Sequence, residues 1–352
     1  MSIETIETPA ILIDEAVARR NLVKYQAYCD EHGLALRPHI KTHKLPHFAK
    51  MQMAAGAVGI TCQKLSEAEA MADAGLDDIL ITYNILGPAK LARLRRLAER
   101  VPRLAVTADN AVTIEGLARA FADADNALAV LIECNTGANR CGVATPGEAL
   151  ELAQTVSNSP GLAFRGLMTY PPVGGTVAVD KFMTGAKELL SQAGLACATI
   201  SSGGSPDMWR ADSAGGVTEY RIGTYIYNDR SLVERGACIW EDCALNVLTT
   251  VVSTPAPGRA IIDAGSKTLT SDLLGLTGFG QVLGHDDVSI VTLNEEHGTL
   301  EWDGGARFEI GETIRIVPNH VCVVSNMVDH VWVRGEDGDL EQYAVAARGG
   351  IT

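Results

Sequence analysis

Apolar runs and amphipathic stretches alternate along the first two thirds of the chain. Strand-like runs occupy residues 9–14, 34–39, 57–61, 78–82, 103–107, 127–133, 163–169, 196–201 and 217–222. Between them lie segments whose apolar residues recur every three or four positions, at 15–29, 66–74, 88–99, 110–122, 146–156 and 179–193. The repeat is about 20 to 30 residues, the size of one strand plus one helix. Eight such units from residue 34 onward predict an α/β fold, a parallel (β/α)8 TIM barrel. A doubly wound open sheet is the alternative, and the even count favours closure. After about residue 231 the pattern changes. Runs at 244–253, 259–263, 288–293, 299–302, 313–317, 330–334 and 340–346 read as strands, with Pro, Gly, Asp and Asn in the gaps and no helical periodicity. The expected organisation is a barrel over 1–230 and a C-terminal all-β domain over 231–352.

Composition narrows the class of partner. The chain has 352 residues, 47% hydrophobic and 20% charged, as in an ordinary globular enzyme, and a formal net charge of -14. That charge argues against nucleic acid and anionic membrane surfaces, so a local basic cluster points to a small anion. Eight cysteines at scattered spacings, with no C-x-x-C pair, read as reduced thiols of a cytoplasmic protein. The first residues are polar and acidic, unlike a signal peptide, and no apolar run approaches the roughly 20 residues of a membrane span.

Barrel enzymes carry their chemistry at the C-terminal ends of the strands, and the unusual residues of this sequence fall there. Arg37, His39, Lys41, His43 and Lys44 follow the first barrel strand, a cationic knot in an acidic chain. Lys41 is the candidate nucleophile: a partly desolvated lysine near other cations, here Arg37 and Lys44, has a lowered pKa and a reactive neutral amine. Ser202, Gly203 and Gly204 follow the seventh strand, and Gly223 and Thr224 the eighth. Small residues there let backbone N–H groups approach phosphate oxygens; the plainer reading is a pair of tight turns. An amine anchor and a phosphate cradle in one barrel suggest pyridoxal 5'-phosphate. Arg140 offers a fixed cation for the cofactor's phenolic oxygen, or else a surface ion pair. Arg221 can donate to the ring nitrogen, leaving it unprotonated because arginine keeps its proton, or else pairs with Glu219 or Asp229. Tyr170 can flank the ring or simply pack. In the β domain, His320 and Cys322 would face one side of a strand and could share an ion, for which imidazole and thiolate suit zinc. Cys62, Cys134 and Cys141 read as packing thiols.

Six stretches then resemble a known family in the right order. They are RPHIKTHK (37–44), CQKLSEAE (62–69), NTGANRCGV (135–143), SSGGSPD (201–207), EYRIGTYIYND (219–229) and PNHVC (318–322). Together they resemble the D-threonine aldolase and D-serine dehydratase-like family, within the alanine racemase group of pyridoxal-phosphate enzymes. The resemblance implies a barrel plus a β domain that takes in the first ~14 residues, and a homodimer. It implies that Lys41 anchors the cofactor, that Arg140 lies near the phenolic oxygen, and that Ser202, Gly203, Gly204, Gly223, Thr224 and Tyr225 surround the phosphate. His39, Gln63, Tyr170 and Arg221 complete the cofactor-binding set. It further implies that His320 and Cys322 bind a divalent metal (Zn, Mn or Mg) beside the substrate's β-hydroxyl, with a base at or near His320. The activity implied is retro-aldol cleavage of D-3-hydroxy amino acids to glycine and an aldehyde. The alternative is dehydration of D-serine or 3-hydroxy-D-aspartate. A racemase needs acid–base groups on both faces and no metal, and a non-catalytic carrier of the cofactor lacks the β domain. Many members place a histidine just after the sixth-strand tyrosine; this chain has Pro171 and Pro172.

Overall fold

A computed structural model describes residues 3–352. The chain divides into two compact units. The barrel unit comprises Tyr25–Lys41, Pro46–Gly223 and Gly350–Thr352; the β unit comprises the chain up to Lys24, Thr42–Leu45 and Thr224–Gly349. The units thus part at Gly223, ahead of the change in sequence texture near residue 231. Among the described residues, no helix is long and apolar enough to cross a membrane.

The strands in chain order are β1 (Ala10–Asp14), β2 (Ala35–Leu36), β3 (Ile60–Cys62), β4 (Asp78–Ile81), β5 (Arg103–Ala108), β6 (Leu128–Cys134), β7 (Leu162–Thr169), β8 (Thr199–Gly203) and β9 (Glu219–Arg221). The helices are α1 (Glu15–Glu31), α2 (Pro46–Ala54), α3 (Leu65–Asp73), α4 (Pro88–Ala98), α5 (Ala111–Phe121), α6 (Pro146–Ser157) and α7 (Thr176–Gln192). Strands β2 to β9 form one eight-stranded sheet, order β2-β9-β8-β7-β6-β5-β4-β3, with every pair parallel. The two ends of that order meet. Val58 N donates to Leu36 O (3.0 Å), Thr61 N donates to Pro38 O (2.7 Å), and His39 forms a parallel bridge with Thr61. The expected strand at 34–39 shortens to two residues because Pro38 has no N–H to donate.

Alternate residues of each strand face the barrel interior, which is filled in layers. Leu80, Ala105, Leu131 and Met168 make a buried apolar plug. Below it, the Arg37 guanidinium pairs with Asp78 (2.6 Å) and Glu219 (2.7 Å), and Arg103 Nε takes the other Asp78 oxygen (2.9 Å). Gly59 leaves room for this network, since a Cβ there would stand 2.1 Å from the Arg37 guanidinium. Replacing one member of a buried ion pair leaves an uncompensated charge, so Arg37→Met should lower the unfolding free energy by about 3–5 kcal/mol. A shift in urea midpoint measures this; an unchanged midpoint would remove the network from the account of stability.

The β unit is built on a nine-stranded mixed sheet. It holds β1 with β10 (Leu245–Ala256), β11 (Arg259–Ile262), β12 (Gly280–Val282), β13 (Ser289–Leu293), β14 (Gly298–Glu301), β15 (Thr313–Pro318), β16 (His330–Arg334) and β17 (Leu340–Ala344). β1 lies antiparallel to β10, with Ile11 opposite Val247, and parallel to β16, with Leu12 opposite Trp332. The unit is not purely β. It also contains α8 (Arg230–Glu234), α9 (Ser266–Leu269) and α10 (Val321–Met327). Helices of five, four and seven residues are too short to print a helical period on the sequence.

Candidate active site

In the barrel unit, Lys41 sits half-buried on the 3-10 turn Ile40–Thr42, just past the end of β2. Its backbone N–H points at His39 Nδ1 (3.4 Å). His39 Nε2 faces Gln63 Oε1 (3.2 Å), while Gln63 Nε2 donates to Thr82 O (2.8 Å) and Gln63 N donates to Glu67 Oε2 (2.6 Å). Because the Gln63 amide donates to a carbonyl, its oxygen must accept from His39. His39 is therefore the Nε2–H tautomer, and its Nδ1 accepts from Lys41 N. The cations expected to act on Lys41 have partners of their own. Arg37 is neutralised by Asp78 and Glu219 in the barrel floor. Lys44 belongs to the β unit, where its amine donates to Asn326 Oδ1 (2.6 Å) and Ala347 O (3.4 Å).

Ser202 and Gly203 end β8, and Gly204 follows at φ +125°. A Cβ on Gly203 would lie 2.2 Å from Arg221 O, so only glycine fits between these strands. The Gly204 N–H is already bonded to Arg221 O (3.0 Å), and Gly204 O accepts from the Tyr220 hydroxyl (3.0 Å). Gly204 contributes open space where a Cβ would meet nothing within 4 Å, not an available donor. Gly223 closes the barrel unit; Thr224 and the buried Tyr225 open the β unit on the turn Thr224–Ile226.

Arg221 is buried, with Nη1 donating to Ser201 Oγ (3.1 Å) and Nη2 to Thr169 O (2.8 Å). It does not hydrogen-bond Glu219, which serves Arg37 and Ser201 instead. Burial lowers its pKa, against the pull of Glu219 and Glu133. Arg140 is exposed on the loop after β6, its guanidinium 4.7 Å from the centroid of the Tyr170 ring. Asn135 shapes that loop: its side-chain oxygen accepts from Gly137 N (3.0 Å) and Asn139 N (3.1 Å). Tyr170, 43% exposed, follows β7, with Pro171 and Pro172 in the turn beyond it. Cys62 and Cys134 are buried thiols whose pKa burial pushes up, and Cys141 is an exposed free thiol.

In the β unit, His320 and Cys322 are not on a strand as the alternating pattern implies. β15 ends at Pro318, His320 caps α10, and Cys322 lies in its first turn. The cause is Asp229, fully buried at the cap of α8. Its Oδ2 binds His320 Nδ1 (2.9 Å) and accepts from Val321 N (3.3 Å); its Oδ1 accepts from Ser231 Oγ (2.7 Å) and Leu232 N (3.1 Å). One carboxylate thus caps two helices and fixes one imidazole. With Nδ1 held by Asp229, Nε2 is the nitrogen left for a ligand. Cys322 Sγ is 3.1 Å from Thr42 Oγ1 and 3.7 Å from Thr224 Oγ1. Burial pushes the His320 pKa down, but the Cys322 thiolate and the Asp229 carboxylate outweigh it and hold it up at about 11. Among the described residues, no group of three or more His, Cys, Asp or Glu side chains could hold a metal. A nitrogen and a thiolate together suit a divalent ion whose remaining positions stay open to water or substrate oxygens.

Sequence reasoning did not assign Asp229 this task, although an Asp two residues ahead of Ser231 and three ahead of Leu232 is a readable helix cap. Thr42 and Thr224, as neighbours of a sulfur, leave no local signal at all.

Comparison with known proteins agrees with this architecture. Residues 13–231 match the family model for the alanine racemase N-terminal domain, and residues 244–334 match the putative serine dehydratase domain. The chain is 37% identical to a D-threonine aldolase from an Arthrobacter species, over 98% of this chain and 93% of that protein. Among solved structures, it is similar to D-threonine aldolase from Filomicrobium marinum, with a TM-score of 0.92 and 32% identity over 99% of this chain and 98% of that one. It is also similar to D-threo-3-hydroxyaspartate dehydratase from Delftia sp. HT23, with a TM-score of 0.89 and 32% identity over 97% and 98%; a variant of a D-threo-3-hydroxyaspartate dehydratase has been solved in a metal-free form. A lyase with an eight-stranded parallel barrel and a mixed-sheet domain, this chain belongs to the D-threonine aldolase and D-serine dehydratase-like family of the alanine racemase group.

Proposed function

We propose that this chain is a pyridoxal-phosphate- and divalent-metal-dependent lyase that cleaves D-3-hydroxy amino acids to glycine and an aldehyde. The observation that carries the reading is the occurrence, in one chain, of a half-buried lysine at a barrel-strand end and an imidazole–thiolate pair oriented by a buried carboxylate. When bound, pyridoxal phosphate supplies an electron sink for the pair released at the substrate's α-carbon. Lys41 anchors it. Gly204 would leave open space for its phosphate, and Ser202, Gly203, Gly223, Thr224 and Tyr225 are the other proposed phosphate-binding residues. Arg140 would supply a cation for its phenolic oxygen, and Arg221 would leave its ring nitrogen unprotonated. His39, held in one tautomer by Gln63, and Tyr170 complete the pocket.

His320 and Cys322 would be the donors for Zn, Mn or Mg, an ion that would favour ionisation of a β-hydroxyl, and a base near His320 would take that proton. Asp229 acts through His320 by fixing its tautomer. Asp229→Asn should weaken metal binding by about 10- to 100-fold, read by titrating the purified protein with zinc against a chelating indicator; equal affinity in both proteins would release Asp229 from this role. The same reading takes the enzyme to be a cytoplasmic homodimer.

Dehydration is the second reading, favoured by the likeness to the Delftia dehydratase over nearly the full length of both chains. It uses the same residues, with Lys41 taking the α-proton and the β-hydroxyl leaving. Product analysis on D-threonine, D-serine and 3-hydroxy-D-aspartate separates the two. Glycine is the expected product; pyruvate or oxaloacetate with ammonia would replace the aldolase reading with the dehydratase one.

A further inference from the structure

Tyr220 is a buried tyrosine that no step above uses. It lies on β9 between Glu219 and Arg221, whose side chains meet Arg37 and Ser201 in the barrel interior. Alternation along the strand therefore turns Tyr220 outward, to the other face of the sheet. It is paired with Ser202 of β8 and is 4% exposed. Its hydroxyl donates to Gly204 O (3.0 Å), one residue past the end of β8. Burial pushes the hydroxyl pKa up, so it stays a protonated donor.

That bond decides what the next peptide can do. Gly204 N is already bonded to Arg221 O (3.0 Å). The Gly204–Ser205 peptide is trans, so its C=O and N–H point in opposite directions. With Gly204 O held by Tyr220, the Ser205 N–H points away from the tyrosine. Ser205 opens the 3-10 segment Ser205–Ser213, so no earlier turn supplies an acceptor for it. Among the described residues, no acceptor is bonded to Ser205 N. The next residue, Pro206, has no N–H at all. Gly204 stands at φ +125°, and a Cβ there would meet nothing within 4 Å, so the space beside this peptide is open. The turn is held from a second side as well: Asp207 Oδ2 accepts from Gly174 N (2.7 Å), in the loop after β7. A backbone donor fixed in direction beside open space suits an anion.

We propose that Tyr220 is a positioning residue: by holding Gly204 O, it aims the Ser205 N–H at the cofactor's phosphate. Tyr220 acts through that peptide alone. This role rests on the cofactor reading above and deepens its phosphate contact.

The test compares pyridoxal 5'-phosphate with pyridoxal, which lacks the phosphate. Each is titrated into the full-length apoprotein, and binding is read from the absorption band of the lysine-bound form. Tyr220→Phe keeps the ring and removes the hydroxyl. Ser205→Pro removes the N–H itself, at a first helical position where proline is tolerated. A hydrogen bond to a charged group contributes about tenfold or more in affinity. Tyr220→Phe should therefore weaken pyridoxal 5'-phosphate about tenfold and leave pyridoxal unchanged. Ser205→Pro should do the same, and adding Tyr220→Phe to it should weaken binding no further. A packing role alone would weaken both ligands equally, and that result would overturn the proposal. So would an unchanged affinity of either single variant for pyridoxal 5'-phosphate, or a second loss of the same size in the double variant. A wild type that forms no band with pyridoxal 5'-phosphate would overturn the cofactor reading, and the role of Tyr220 with it.

Discussion

Lys41→Ala should lack the visible absorption band near about 420 nm that lysine-bound pyridoxal phosphate gives, and its turnover should fall by about 10³-fold or more. The size of the effect follows from the position. Lys41 is the half-buried amine on the turn after β2, and its neighbours His39 and Gln63 are fixed by hydrogen bonds to Thr82 O and Glu67. Lys41→Arg should fail as completely, because a guanidinium does not give up its proton to become a nucleophile. The checks are an absorption spectrum with added cofactor and turnover under saturating substrate. A Lys41→Ala protein that keeps the band would remove Lys41 from its role, whatever its activity.

Chelation should stop turnover while the absorption band persists, and His320→Ala and Cys322→Ala should behave alike. Either substitution leaves a site with one protein donor, which cannot retain an ion against water at ordinary concentrations. The expected loss is about 10²- to 10⁴-fold, the share of a positioned proton transfer, and added zinc or manganese should not restore it in the variants. It should restore the chelated wild type. Turnover that survives exhaustive dialysis against chelator, with the metal shown absent by elemental analysis, would refute the metal assignment. The two experiments separate the functions: one removes the cofactor's anchor, the other removes only the ion.

The barrel was legible because its signal is repeated. A period of about 3.6 between runs of apolar residues recurs in unit after unit, and the observed helices α3 to α7 lie close to the predicted segments. The error at 34–39 came from Pro38, which interrupts a ladder without interrupting the apolar pattern. His320 and Cys322 were legible as donors but not in their geometry. A seven-residue helix capped by a carboxylate some ninety residues away looks, in sequence, like the end of a strand. Arg37 shows the same limit from another side. Its place in a basic stretch suggested help for Lys41, yet the strand's alternation turns it toward Asp78 and Glu219.

The floor of the barrel has a consequence for traffic. Ion pairs among Arg37, Asp78, Glu219 and Arg103, under the Leu80, Ala105, Leu131 and Met168 plug, seal the N-terminal end of the strands. On the proposed reading, both products of a cleavage would therefore leave past the C-terminal ends of the strands, the way the substrate came.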